Sequence, residues 1–392
     1  MRRRNLLKAG ATIAGLSFIP GRQLLASDKQ PILVVVELSG GNDGLNSIVP
    51  YADDAYYRHR PTLGIRKNDL LPLDDHYGFN PGMLGMQRLW DDGLLSIVHG
   101  CGYEQPSYSH FTSMAYWHTG TPHRGDEFGW MGRVADQLAP ARKDDMLVNV
   151  ASSQSLAVKS KVHTPVVFDN PNRFQRHKWL ADASDVMLDQ PEHVPTDNSN
   201  RDFLHAVDAS AQNSSARIRQ AWSRYRTPID YGVSPMDLPK IAACIDAGLA
   251  TQLYYVSFRN NAFDTHVQQP ALHQRLLSYA CDSMHGFVRD LQRLGHADRV
   301  VVMAFSEFGR RVPENANLGT DHGSANVMLL AGEPVNGGHY GEAPSLTELV
   351  DGDNLAYTTD FRQVYATVTQ DWLGADSEQV LHGKFETLPV FG

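Results

Sequence analysis

Short apolar runs rich in β-branched residues recur along the chain at Ile32–Val36, Leu95–Val98, Leu147–Val150, Leu253–Val256, Val300–Phe305 and Val327–Leu330. Each is four to six residues long and apolar, apart from Ser96 and Asn149, as expected of strands buried on both faces. Between them lie segments with helical period at Met83–Trp90, Phe111–Trp117, Leu272–Leu294 and Phe361–Leu373. In the longest, Leu276, Leu277, Ala280, Met284, Phe287, Val288 and Leu291 recur every three or four residues, which lays one apolar stripe along a helix. Strand and helix in alternation predict an α/β fold: a doubly wound, mostly parallel sheet with helices on both faces. Residues 169–240 break the alternation. They are rich in Asn, Gln, Asp, Ser and Arg, carry a helical stretch over Phe203–Tyr225 and contain no strand run. They read as a helical cap inserted over one edge of the sheet, or equally as a long surface excursion.

The first residues follow a different plan. Arg2-Arg3-Arg4-Asn5-Leu6-Leu7-Lys8 is followed by a weakly apolar stretch, Ala9–Ile19, that stops at Pro20. A basic start, a short apolar run and small residues near its end compose an export signal, and paired arginines ahead of Leu-Leu-Lys resemble the twin-arginine type. The apolar run is about a dozen residues, short of the roughly 20 that span a bilayer as a helix, so no permanent membrane anchor is expected. Residues 1–26 thus read as a signal, cleaved after Ala26, and residues 27–392 as a single domain. The expected location is the periplasm or the exterior, reached through the twin-arginine translocase.

That division changes the charge. Residues 1–26 hold five basic residues and no acid, which takes the −9 of the whole chain to −14 for the remainder. A protein so acidic repels nucleic acid and anionic membrane surfaces. The three cysteines, Cys101, Cys244 and Cys281, are too few and too scattered for a disulfide framework. One disulfide with a free thiol and three free thiols both remain open.

Polar clusters gather next to the strand runs, where open α/β sheets bind ligands. Glu37-Leu-Ser-Gly-Gly-Asn42-Asp43-Gly44 follows the first run, Phe263-Asp264-Thr265-His266 follows Leu253–Phe258, and Ser306-Glu307-Phe308-Gly309-Arg310-Arg311 follows Val300–Phe305. Thr320-Asp321-His322-Gly323 precedes Val327–Leu330, and Ser107-Tyr108-Ser109-His110 opens a helix. Taken singly, each has a plain structural reading: a turn, a strand-end ion pair, a helix cap. Jointly they suit hydrolysis of a phosphate or sulfate ester, which needs cations against the non-bridging oxygens and a nucleophile in line. Carboxylates and imidazoles could hold one or two divalent ions. Ser109 would sit at a helix N-terminus that favours an anion, and Arg310 and Arg311 could clamp it. The glycine-rich turn is neither a dinucleotide fingerprint nor a phosphate loop, so an oxidoreductase with an organic cofactor has no motif behind it.

Together these residues resemble the domain of unknown function 1501 family. The resemblance runs through Ser39–Asn46, Val49–Tyr51, Arg60–Leu63, Ser109–Phe111, Phe263–His266, Ser306–Arg311 and Thr320–Gly323, with Asp360-Phe-Arg-Gln-Val-Tyr and Asp371-Trp-Leu-Gly near the end. That family is in turn similar, more distantly, to the alkaline phosphatase and sulfatase superfamily. The resemblance implies an alkaline-phosphatase-like fold and a divalent metal (Zn, Mn, Mg or Ca). It implies a first metal site from Asp264, His266 and His322, with Asp321 beside them, and carboxylates from Glu37 and Glu307 for a second, with Asp43 a further candidate. It leaves Ser109 or His110 as nucleophile and Asn42, Arg310 and Arg311 against a small anionic ester. The pattern departs where Phe308 stands in place of a superfamily ligand His, where Glu37 and Glu307 replace Asp, and where one residue separates Asp264 from His266 instead of three. Those departures keep a rival open: a relative that has lost catalysis and serves as a periplasmic binding or envelope-assembly protein.

Overall fold

The computed structural model describes residues 30–174, 213–258 and 260–392. The export signal and residues 175–212 of the expected cap lie outside the described residues.

The main sheet has nine strands. In chain order they are β1 (Ile32–Leu38), β2 (Leu95–Gly102), β3 (Leu147–Val150), β4 (Val166–Phe168), β5 (Leu253–Phe258), β6 (Val300–Phe305), β7 (Asn326–Ala331), β8 (Gly338–Tyr340) and β9 (Thr359–Asp360). Their spatial order is β8-β2-β7-β6-β1-β5-β3-β4, with β9 off this row, pairing the last two residues of β2. Every pairing is parallel except those of β7, which runs antiparallel to both β2 and β6. The apolar runs of the sequence are thus the central strands. The short strands β8 and β9 carry no apolar run, and β4, though apolar, is only three residues long, which is why periodicity misses them.

Alternate residues of β1 feed two cores. Val34, Val36 and Leu38 join the helix Gln269–Leu294 and its neighbours on one face. Leu33 and Val35 join Trp117, Trp130, Phe361 and Tyr365 on the other. A strand buried on both sides must be apolar at successive positions, which is the pattern in the sequence. The helices that matter below are α1 (His110–Thr119) and α2 (Gln269–Leu294). The segment read as helical to Leu373 is an α-helix over Phe361–Thr367 that passes into a π-helical turn over Val368–Trp372. Of the expected cap, residues 213–224 are helical. Ile218, Ala221, Tyr225 and Tyr231 belong to the core cluster that contains α2, and Tyr231 donates to the buried Asp290 of that helix at 3.0 Å. This part of the segment packs as core. No helix among the described residues is long and apolar enough to cross a membrane.

The topology decides what meets at the carboxyl edge. The parallel strands β1, β5 and β6 run side by side and release the Gly40-Gly41 turn, the Asp264–His266 loop and the Ser306–Arg310 loop at the same end. Strand β7 runs the opposite way, so the residues that precede it, including His322, reach that end too. The loop that follows β2 brings His110 to it at the start of α1.

Candidate metal centre

Three imidazoles and one carboxylate converge here. Coordinating atoms of His110, Asp264 and His322 all lie within 4.8 Å of one another. The Nε2 of His322 is 3.0 Å from Asp264 Oδ1, and that of His266 is 2.9 Å from the same oxygen. His266 and His322 bring their Nε2 atoms to 3.0 Å. His110 Nε2 lies 3.3 Å from Asp264 Oδ2; it is buried and has no hydrogen-bond partner.

The other ring nitrogens explain this convergence. His322 Nδ1 donates to the carbonyl of Tyr108 at 2.7 Å, His266 Nδ1 to Asp321 Oδ1 at 3.1 Å, and His110 Nδ1 to Glu307 Oε1 at 2.7 Å. A carbonyl only accepts, so His322 carries its proton on Nδ1; the two carboxylates impose the same tautomer on the other rings. Each Nε2 then offers a lone pair toward the others and toward a carboxylate. Acceptors that face one another at 3 Å require a cation among them, either a bound metal or a proton. Imidazoles oriented through Nδ1 by oxygen acceptors are the usual arrangement of metal-ligating histidines. The residues therefore fit a divalent ion: His110, Asp264 and His322 form a group that could hold it, and His266 stands beside them against His322 and Asp264.

The surroundings hold Asp264 in its charged form. Burial opposes its ionisation, but the adjoining His322 imidazole and the hydrogen bond and charge of Arg310 outweigh it and hold the carboxyl well below the usual range. The Glu307 hydrogen bond raises the His110 imidazole above its ordinary value, against the smaller opposing effect of burial. Asp321 is lowered mainly by its bond from Asn315 and also by His266.

Glu307 is fully buried and aims at His110 and at the backbone N–H of Gly40, whose nitrogen is 2.9 and 3.1 Å from its two oxygens. It orients a ligand and is not placed as one. Gly40 is required at this turn: its φ is +118°, and a Cβ would come within 2.6 Å of the Asp264 nitrogen. Arg310 does not face outward as an anion clamp. Its buried guanidinium donates to the carbonyls of Gly41 at 2.6 Å, Thr320 at 2.8 Å, Gly40 and Phe263, and to Asp264 Oδ1 at 2.7 Å. It welds the three loops together beneath the carboxylate. Arg311 is half exposed and stands 3.6 Å from Asp353.

The remaining sequence candidates fall elsewhere. Asp43 is buried against Arg60 at 2.8 Å and against Gln269, a structural ion pair that the sequence did not single out. Asn42 is buried and bonded to Ser47 and His273. Neither Asp43 nor Asn42 is open to a metal or a substrate. Glu37, expected beside Glu307, pairs instead with His118 at 2.8 Å and with Tyr255. No second metal group forms around Glu37 and Glu307 among the described residues. Ser109 is exposed at the N-cap of α1 and makes no capping hydrogen bond. Phe308 walls the centre, its ring centroid 4.6 Å from that of His322 and 4.9 Å from that of His110.

Sequence reasoning missed the Tyr108 carbonyl, Asn315, Arg60 and His118. Backbone carbonyls leave no trace in residue identity. Arg60 sits in a motif but is 17 positions from its partner Asp43.

No curated protein matches the chain in sequence. Among solved structures, a sulfatase from Pseudoalteromonas sp. matches with a TM-score of 0.42 and 13% identity, over 92% of this chain and 71% of that one. A protein in the alkaline phosphatase superfamily from Vibrio parahaemolyticus matches at 0.39 and 9%, over 91% and 69%. A phosphonate monoester hydrolase from Silicibacter pomeroyi matches at 0.38 and 9%, over 91% and 75%. The family model "Protein of unknown function (DUF1501)" matches residues 30–385, and the chain belongs to that family.

Proposed function

We propose that this protein is an exported, divalent-metal-dependent hydrolase of phosphate or sulfate esters. The observation that carries the reading is the convergence of His110, Asp264 and His322 at the carboxyl edge of the sheet, with His266 against His322 and Asp264 and each ring oriented through its Nδ1. Such a set suits zinc or a similar transition ion, since imidazole nitrogens outnumber oxygens. His110, His266, His322 and Asp264 would hold it. The ion, when bound, would supply positive charge against the non-bridging oxygens of the ester.

The chain's own residues supply the rest. Glu307 and Asp321 hold the protons on Nδ1 of His110 and His266, so the Nε2 atoms stay available. Arg310 keeps Asp264 charged. His110 takes the part of a ligand in this arrangement, which leaves Ser109 as the hydroxyl proposed to attack. Arg311, half exposed at the same edge, is the cation proposed to meet the anion. Residues 1–26 would direct the folded protein through the twin-arginine translocase, and a fold that takes up its ion before transit suits that route.

The test is elemental analysis of purified protein together with turnover of aryl phosphates and aryl sulfates. The expected result is one divalent ion per chain and hydrolysis lost in both His322→Ala and Ser109→Ala. Absence of bound ion and of turnover overturns the reading. Phe308 favours a second one: a buried phenyl ring lies against His110 and His322, so one metal and no second ligand set would suit a binding or envelope-assembly protein. Bound metal without turnover of either ester class would select it.

A further inference from the structure

A second built site lies around Glu37, at the end of β1. Glu37 is 5% exposed. Its Oε2 accepts from the Tyr255 hydroxyl, and His118 Nε2 lies 2.8 Å from that same oxygen and 2.9 Å from the Tyr255 hydroxyl. Both neighbours thus serve one carboxylate oxygen. No described residue donates to the other, Oε1. Burial, and then the charge of Glu37, raises the Tyr255 phenol well above its ordinary value, so it stays a neutral donor. No arginine or lysine among the described residues pairs with Glu37.

The carboxyl group opens on a cavity of about 180 Å³ lined by His118, Asn149, Ser155, Tyr255, Ser257 and the loop 151–154. The cavity sits at the carboxyl ends of three adjacent parallel strands: Glu37 is in register with Ser257, and Asn149 with Tyr255. Its lining is hydroxyl and amide groups around a single acid. A buried carboxylate is costly unless a cation is paired with it. A calcium-like ion would want six to eight oxygens and more than one carboxylate. A primary ammonium asks for three acceptors at hydrogen-bond distance, and it can take Oε1 with hydroxyl and carbonyl oxygens of the lining. At roughly 30 Å³ for a water-sized group, the cavity holds about six such groups, the size of a short aminoalcohol.

We propose that this cavity binds the ammonium group of a small primary amine, with Glu37 Oε1 as its counter-ion and Tyr255 and His118 as the residues that orient the carboxylate. The site is separate from the three-histidine centre and stands whether or not that centre turns over an ester.

Calorimetric titration of the full chain with 2-aminoethanol and with uncharged 1,2-ethanediol tests it. Saturable binding of the amine alone is expected, weakened at least tenfold in Glu37→Gln. Ser257→Leu, which fills the cavity from β5 and keeps the Glu37 side chain, should abolish it and serves alone where Glu37→Gln does not fold. No saturable binding by wild type, equal binding of 1,2-ethanediol, or an affinity unchanged in either folded variant overturns the proposal. Competition by calcium chloride for the same site overturns the amine in favour of a metal.

Discussion

The Nε2 atoms of His266 and His322 stand 3.0 Å apart, although each ring already spends its Nδ1 proton on an oxygen behind it. Two such lone pairs do not approach without a positive charge between them, and Asp264 Oδ1 lies 2.9 and 3.0 Å from the same two atoms. The pairing sets out what the centre should do when its parts are changed.

Removing a ligand should release the ion. Asp264→Asn and His322→Ala should each leave less than a tenth of the wild-type metal content after dialysis, while the far-ultraviolet circular dichroism stays unchanged. Inductively coupled plasma analysis reads the result.

Glu307→Gln tests orientation without removing a ligand. The amide oxygen can still accept from Gly40, but the charge behind His110 is gone. Loss of a group that orients a metal ligand typically costs 10–100-fold in metal affinity. Competition with a chromophoric chelator should show a loss of that size, with the thermal midpoint nearly unmoved.

Acid should empty the centre from its histidines. The bond to Glu307 raises the His110 pKa, so this ring takes a proton before an ordinary imidazole does as pH falls. Protonation opposes metal binding. Metal retention should therefore begin to fall above about pH 6.5, the ordinary imidazole value, and in Glu307→Gln the onset should move to lower pH. In metal-free protein the sign is opposite for stability: the raised pKa means His110 contributes below its unfolded value and the contribution is lost as pH rises through the folded one. Equilibrium dialysis and chelated thermal melts across pH check the two signs.

Arg310 should matter through the fold. Its side chain is fully buried and serves four carbonyls and Asp264. Arg310→Met strands those acceptors, and breaking a buried charge pair costs about 3–5 kcal/mol. Arg310→Lys keeps the charge but not the planar fork, so it should recover only part. Urea unfolding measures both.

The thiols should be silent in the folded protein. Cys101, Cys244 and Cys281 are all free and buried. Burial pushes the Cys244 thiol up to about 12 and raises the other two as well. A thiol reagent should find no reactive group in native protein and three after denaturation.

Much of this architecture is legible along the chain. Burial on both faces forces Val34–Val36 and Val300–Phe305 to be apolar without alternation, and a long helix with one buried face forces the stripe from Leu276 to Leu291. Those constraints are local, so six central strands and the main helices can be read by eye. The gathering of Asp264, His266 and His322 near strand ends is legible for the same reason, since ligands collect where parallel strands stop. What the polar residues do there is not local. Whether Glu37 and Glu307 share a site depends on the partners each meets, His118 and Tyr255 for the one and His110 and Gly40 for the other, and only the packed sheet sets them apart. Arg310 reads as an anion clamp until the chain closes around it and four carbonyls from three loops claim its donors. His110 joins Asp264 and His322 because the loop after β2 swings it against Glu307, 197 residues away. Residue identity and period determine the elements; the distances between chain-distant groups, and so the chemistry, are decided only when the sheet brings its loops to one edge.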